Sequence, residues 1–387
     1  MQNQIINMCL VLIGPNAVVT DDQINDAIAR VSLIFPNIDI AQVKNELLSL
    51  YGVRIQDFQI LDGNERRQPW LRDFKAERKS TWDFWVRYKQ YLSEQKGFAP
   101  LVIQKLDDMS DRILDNLFNP QLTNITIDKK GLVVGQVQSG KTANYTAICN
   151  KAADTGYRII IVLAGMQENL RKQTQERLDA ECTGRKSEYY LDPKAEQGIK
   201  NQPVGVGRYG TDKKIVAFTS VTKDFDSGIL RNNNLGIENV NCPVILVVKK
   251  NKRILNNLIK WLSDNNTQNA AGQIDLPLML IDDEADNASV NTKDEDSQPA
   301  TINDCIRRLL KLFSKTTYLG ITATPFANIF IDPEKDDDLF PADFIYALSA
   351  PTNYIGADRI FGENSDNDHM LQEIDIEELE ACFPPKH

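Results

Sequence analysis

The chain has 387 residues, of which 42% are hydrophobic and 25% charged, the balance of a soluble globular protein with enough apolar content for a large core in two to three domains. A net charge of −10 argues against a polycation that coats nucleic acid, although a basic groove depends only on local charge. Two histidines, His369 and His387, give poor support to a histidine-rich metal site, a Ser-His-Asp triad or a histidine-based nuclease.

Six cysteines are scattered without a C-x-x-C pair, which fits reduced thiols in a cytoplasmic protein. The apolar run Met8 to Ile13 lacks a basic flank and a small-residue cleavage site, so it reads as a buried strand or helix. No apolar run reaches the ~20 residues of a membrane span.

Residues 1–125 read as a mainly helical N-terminal region. Thr20-Asp21-Asp22-Gln23 has a capping-box pattern before an amphipathic stretch that Pro36 stops, and a second stretch runs from Ile40 to Tyr51. Between Ser80 and Leu92, Trp82, Trp85, Tyr88 and Leu92 fall on one helical face, a spacing expected of core residues. Leu101 to Phe118 is a further amphipathic stretch, closed by Asn119-Pro120. The triplet Glu77-Arg78-Lys79 resembles part of a nuclease core but has no convincing acid upstream.

From Gly131 short apolar runs alternate with helical patterns. The runs are Gly131–Val134, Arg158–Ala164, Lys214–Thr219, Pro243–Val248, Leu276–Ile281 and Thr317–Thr322. Helices are expected near Ala143–Asp154, Glu168–Glu181, Lys252–Leu262 and Ile302–Phe313. Strands apolar on both faces that alternate with helices predict an α/β fold with a mostly parallel sheet flanked by helices, over residues 126–331. Residues 332–387 turn acidic and read as an extension that begins a following domain.

The stretch GQVQSGKT, from Gly135 to Thr142, satisfies the phosphate-loop pattern G-x-x-x-x-G-K-[ST] between a predicted strand and a predicted helix. Backbone N–H groups from Gly135 through Gln138, Ser139 and Gly140 would cradle the phosphates of a nucleotide at the positive end of that helix. Lys141 would reach the β- and γ-phosphates and Thr142 would ligate Mg²⁺. No N-K-x-D guanine-reading motif occurs, so ATP is the expected nucleotide.

Partners for this loop should lie at other strand ends. The run LMLI leads into Asp282-Asp283-Glu284-Ala285-Asp286, where Asp283 is the candidate metal-associated acid and Glu284 the general base; the doubled Asp keeps Asp282 a competing candidate for the metal. Thr322 and Thr324, in Gly320-Ile321-Thr322-Ala323-Thr324-Pro325, could hydrogen-bond to the acidic cluster and relay nucleotide state outward. Gln173, the pair Thr219-Ser220, and Lys249-Lys250 also follow strands. They are read as contacts to a nucleic-acid backbone or as ordinary solvated turns. Gln121 is a candidate adenine-reading side chain.

The order GKT, L-x-x-Q, TS, DEAD, TATP resembles the first motor domain of superfamily II helicases and translocases. The strings GLVVGQVQSGKTANY, IIIVLAGMQENLRKQTQERLD, LMLIDDEADNASVNT and YLGITATPFANIFIDP are similar to the Z-one domain family, helicase-like proteins of bacterial restriction and phage-defence loci that are often labelled endonucleases. The likeness runs roughly from Trp82 to Gly362 and implies a RecA-like P-loop domain that uses ATP and Mg²⁺, acts on DNA, and works with other defence-system subunits. By the same resemblance Lys141 and Thr142 match the phosphate-loop pair, Asp283 and Glu284 the metal and water acids, and Thr322 and Thr324 the coupling motif. Such motors need a second RecA-like domain bearing an arginine finger. Only about 60 residues follow Pro325, against ~150 for such a domain. The second half is therefore expected in the rest of a longer protein or in a partner, with feeble hydrolysis by this chain alone. Two other readings are an ATP-dependent switch that does not translocate and a nuclease subunit.

Overall fold

The computed structural model describes residues 2–13, 21–35, 38–51, 60–62, 69–77, 82–98, 100–135, 141–191, 202–210, 212–233, 235–287, 289, 301–329, 331 and 338–348. Its strands are β1 (Ile60–Asp62), β2 (Ile127–Gly135), β3 (Ile159–Ala164), β4 (Val216–Ala217), β5 (Val244–Val248), β6 (Ile274–Asp283), β7 (Phe313–Thr322) and β8 (Phe344–Leu348). They form one sheet in the order β1-β8-β2-β7-β6-β3-β5-β4. Among the described strands only β1 runs antiparallel, against β8; every other strand pairing is parallel. This is the α/β architecture that the strand–helix alternation predicts, and the RecA-like fold that the resemblance implies.

All residues of β3, β5 and β7 are buried. A parallel sheet is covered on both faces, so its strands must carry side chains that tolerate burial on either side. In β7 half of those side chains are polar and are satisfied sideways. Ser314 donates to Asp275 at 2.8 Å and Thr316 to Asp128 at 2.6 Å. The apolar-run criterion therefore found only the second half of this strand.

Alternation along the strands sorts the core into two layers. Ile160 and Val162 of β3, Ile245 and Val247 of β5, and Met279 and Ile281 of β6 pack on the face of the phosphate-loop helix, Lys141–Thr155. Their neighbours Ile161, Leu246 and Leu280 pack on the opposite face, against the helices Lys252–Asp264 and Thr301–Lys311.

The N-terminal region divides in two. Helices Gln2–Ile13, Asp21–Ser32 and Ile40–Tyr51 share a small core of their own, which settles the Met8 to Ile13 run as helix. Helices Asp83–Glu94 and Pro100–Asn116 instead lie along the phosphate-loop helix. Trp85, Tyr88 and Leu92 are buried in that contact, as their spacing predicts. Asp154, near the end of the phosphate-loop helix, accepts the free N–H groups of Asp83, Phe84 and Trp85, so one helix caps the other. Lys151 is wholly buried; its ammonium bonds Asp107 at 2.6 Å and Asp111 at 2.7 Å and sits over the Trp85 ring. Burial lowers its pKa, and the two carboxylates oppose that shift.

Three expectations need correction. The sheet does not end at residue 331: β8 joins it beside β2, and β1 from the N-terminal region closes that edge. Gly131 permits this pairing, because a side chain there would collide with the Phe344 ring. Gln121 is not near the phosphate loop; it donates to the carbonyl of Thr155 at the opposite end of that helix. The expected helix Glu168–Glu181 is α-helical only through Leu178 and widens into a π turn over Asp179–Thr183. The Thr20 capping box falls outside the described residues in part, as do Arg78 and Lys79. No helix among the described residues is long and apolar enough to cross a membrane.

The double substitution Asp107→Asn with Asp111→Asn strands the buried Lys151 ammonium. It should cost about 3 kcal/mol or more of unfolding free energy in a urea titration, whereas Asp26→Asn, at an exposed helical ion pair, should cost under ~0.5 kcal/mol.

Candidate nucleotide site

Parallel pairing brings five strand ends, those of β2, β7, β6, β3 and β5, to one edge. Val134 pairs with Thr322, Asp283 with Ile321, Ala164 with Asp283, and Leu163 with Val248. The phosphate loop, the acidic cluster and the TATP segment thus leave the sheet side by side. Gly135 closes β2 and is buried; Gln138, Ser139 and Gly140 lie outside the described residues, as does the side chain of Lys141, whose backbone starts the helix.

Thr142, Asp283, Glu284, Gly165 and Gln173 line one cleft of about 540 Å³. Tyr91 and Lys96 of the N-terminal region form part of its wall, next to Arg177 and Glu181. Glu181 is nearly buried, and desolvation raises its pKa against the pull of Arg177 and Lys96.

Strand alternation decides between the two aspartates. Asp283 continues the Met279–Ile281 face, toward the phosphate-loop helix, and reaches the cleft. Asp282 continues the Leu278–Leu280 face, where it is fully buried. One of its oxygens lies 2.7 Å from the Lys250 ammonium and the other accepts the Tyr318 hydroxyl at 2.7 Å. Asp282 is therefore not a metal candidate: its carboxylate is committed on the far side of the sheet.

After Asp283 the chain turns abruptly. Glu284 has φ +56°, a left-handed conformation unusual for a residue with a side chain, and it is exposed at the cleft rim. Gly165, also left-handed at φ +56°, faces it, and a side chain there would crowd the Glu284 carboxylate. The turn is pinned by Ala285 N–H to the Ile321 carbonyl at 3.0 Å and by Asn287 N–H to the Glu284 carbonyl at 2.9 Å. Asp286 then accepts both TATP hydroxyls, Thr322 and Thr324, each at 2.6 Å. Burial opposes ionisation of Asp286, but these two bonds outweigh it and hold its carboxyl below the usual range.

The nucleic-acid candidates separate by the same rule. Gln173 is exposed and lines the cleft. Lys249 is half-buried and pairs with Glu168 at 3.2 Å. Thr219, Ser220 and Lys250 are buried, which removes them as backbone contacts. Thr219 donates to Gln175 and accepts Val247 N–H, both at 2.7 Å, and Ser220 bonds within its own turn. Sequence reasoning missed Arg171, a fully buried guanidinium that bonds the carbonyls of Ser220 and Val221 and fixes the loop after β4. It also missed Tyr318 and the cleft wall from Tyr91 and Lys96. A tyrosine two residues before a Gly at a strand end carried no pattern that could have flagged it.

A family model described as "Type III restriction enzyme, res subunit" matches residues 95–327, more than half of the chain and all of the site except Tyr91. The chain belongs to this family. Membership of the res-subunit family places the chain in the helicase-like ATPase superfamily. No curated protein matches the sequence. Among solved structures, the Sulfolobus solfataricus SWI2/SNF2 ATPase core in complex with dsDNA is similar at 14% identity, over 63% of this chain and 34% of that chain, with a TM-score of 0.31. The chain thus spans about a third of the length of that structure.

The donor set fits Mg²⁺. Among the described residues no three His, Cys, Asp or Glu side chains converge on a metal position. One hydroxyl, Thr142, and one carboxylate, Asp283, face a common cleft. That suits a hard cation bound through few protein oxygens plus phosphate and water.

The helix that carries Gln173 ends at Asp179, whose burial raises its pKa to about 7 against hydrogen bonds from Gln175 and Ser187. The folded protein holds this proton more tightly than the unfolded chain, where the value is 3.8. Its contribution to stability is full below about pH 4 and lost as pH rises through about 7. The melting temperature of the parent protein should therefore fall relative to that of Asp179→Asn between pH 5 and pH 8, measured by calorimetry at constant ionic strength.

Proposed function

We propose that this chain is the ATP-binding and ATP-hydrolysing motor part of a DNA-acting restriction or phage-defence system, of the Z-one type that its motif strings resemble. One observation carries the reading: Thr142, Asp283 and Glu284 share one cleft, while the same acidic turn is clasped through Asp286 by Thr322 and Thr324. Family membership supports the motor class.

In this reading the loop from Gly135 to Lys141 holds the triphosphate, with Lys141 neutralising the β- and γ-phosphates. Mg²⁺, held by Thr142 and Asp283, would neutralise charge on the phosphate oxygens. Glu284 orients the attacking water and accepts its proton; its place at the cleft rim leaves the carboxylate open to water. Asp286 passes the position of that turn to the TATP segment, and so toward a second RecA-like domain in the rest of the protein or in a partner. That domain would supply the arginine that completes the site. DNA is the partner of choice, with Gln173 and Lys249 as candidate contacts.

ATP turnover should rise on addition of DNA and should fall about 10²-fold or more in Glu284→Gln, with nucleotide binding retained. Lys141→Ala should lose binding as well. Turnover that no nucleic acid alters, measured with the second domain present, would refute the motor assignment and favour an ATP-dependent switch.

A further inference from the structure

Lys250 is the feature that the proposed function leaves unused. It directly follows Lys249 in the sequence, yet the two side chains go opposite ways. Lys249 continues the β5 face that meets the phosphate-loop helix, and reaches Glu168. Lys250 continues the Val244–Leu246–Val248 face and is fully buried. Three oxygens surround its ammonium: Asp282 Oδ1 at 2.7 Å, the Glu284 carbonyl at 2.6 Å and the Asn287 carbonyl at 3.1 Å. The two carbonyls accept hydrogen bonds from the ammonium, and Asp282 completes its surroundings as an ion pair. Its own backbone N–H donates to the carbonyl of Gly165, the residue that faces the Glu284 carboxylate.

These bonds converge on the one strained non-glycine residue of the site among the described residues. A side chain-bearing residue at φ +56° persists only when its surroundings fix it. Here the Glu284 carbonyl receives both the Lys250 ammonium and the Asn287 N–H. Asp282 anchors the ammonium from below and is itself held by Tyr318 of β7. A lysine needed only to balance Asp282 would not have to reach two carbonyls of the next turn.

We infer that Lys250 is a positioning residue for ATP hydrolysis, fixing through the Glu284 carbonyl the direction in which the Glu284 carboxylate enters the cleft. The assignment rests on the ATPase reading above. Lys250 touches no substrate; it sets the geometry of the group that does.

The test uses the full chain with its second RecA-like domain present throughout, with Mg²⁺ and ATP under single-turnover conditions, and with binding of a fluorescent ATP analogue and thermal melting measured in parallel. Lys250→Met should lower the hydrolysis rate about 100-fold, the scale of a misplacement near 1 Å, with analogue affinity unchanged. Lys250→Arg should recover part of the rate. Because Lys250→Met leaves the Asp282 charge buried without its cation, at a cost to folding, the deciding variant is Lys250→Met combined with Asp282→Asn, which removes both charges. A slow but stable, ATP-binding double variant supports positioning, as does the absence of any further loss when Lys250→Met is added to Glu284→Gln. Wild-type turnover in the stable double variant shows that the lysine only balanced Asp282, and overturns the inference alone. A parent chain without any Glu284-dependent turnover overturns the ATPase reading and the inference together.

Discussion

Parallel pairing of β2, β7 and β6 is the constraint on which the rest depends. In a parallel sheet every strand delivers its carboxyl end to the same edge, so segments remote in sequence meet without a dedicated contact. The pairings of Val134 with Thr322 and of Asp283 with Ile321 place the start of the phosphate loop, the TATP segment and the acidic turn in adjacent positions. A slip of one residue in either pairing would exchange the faces of every side chain beyond it. Asp282 would then face the cleft and Asp283 the apolar layer. The long buried ladders of β6 and β7 oppose that slip, because each strand is packed on both sides.

The phosphate-loop helix is fixed just as firmly from outside the sheet. Lys151 and Asp154, both within about one turn of its end, bind the Pro100–Asn116 and Asp83–Glu94 helices respectively. Burying an ammonium is costly unless it is paired and hydrogen-bonded, and here two carboxylates and an aromatic face meet that demand. The N-terminal helices are thus a brace for the candidate nucleotide site and also part of its wall through Tyr91 and Lys96. The ordered network shifts where bases could be read: Tyr88 and Trp85 are inside the protein and offer no stacking platform.

Much of this was legible in the sequence because its signals are contiguous. Strands β3, β5 and most of β6 are unbroken apolar runs, and the loop from Gly135 to Thr142 is a complete motif in one stretch. What escaped reading depends on distant partners. In the first half of β7, Ser314 to Thr316 is polar, and Asp275 and Asp128 meet its hydroxyls. Strand β8 is a short FIYAL run beside acidic sequence, and Gly131 on another strand makes room for its Phe344. Lys249 and Lys250 looked alike as a basic pair. Alternation separates them, but only once it is known which face of β5 carries which helix.

Glu284 shows why the motif and its support are encoded separately. The residues from Asp283 to Asp286 must leave the sheet, reverse direction and keep two acids pointed at different neighbours. Glu284 takes the left-handed conformation that allows this, at an intrinsic cost of order 1–3 kcal/mol for a strained backbone position. The local sequence offers nothing to offset that cost, since Glu has no preference for such a turn. The offset comes from β5 through Lys250, from β7 through Ile321, Thr322 and Thr324, and from Gly165 after β3, which gives the carboxylate its room. A turn held by three neighbouring strand ends responds to movement of any of them. On the proposed function, that is the physical requirement for an acid that is to sense both nucleotide in the cleft and whatever docks along the edge of the sheet.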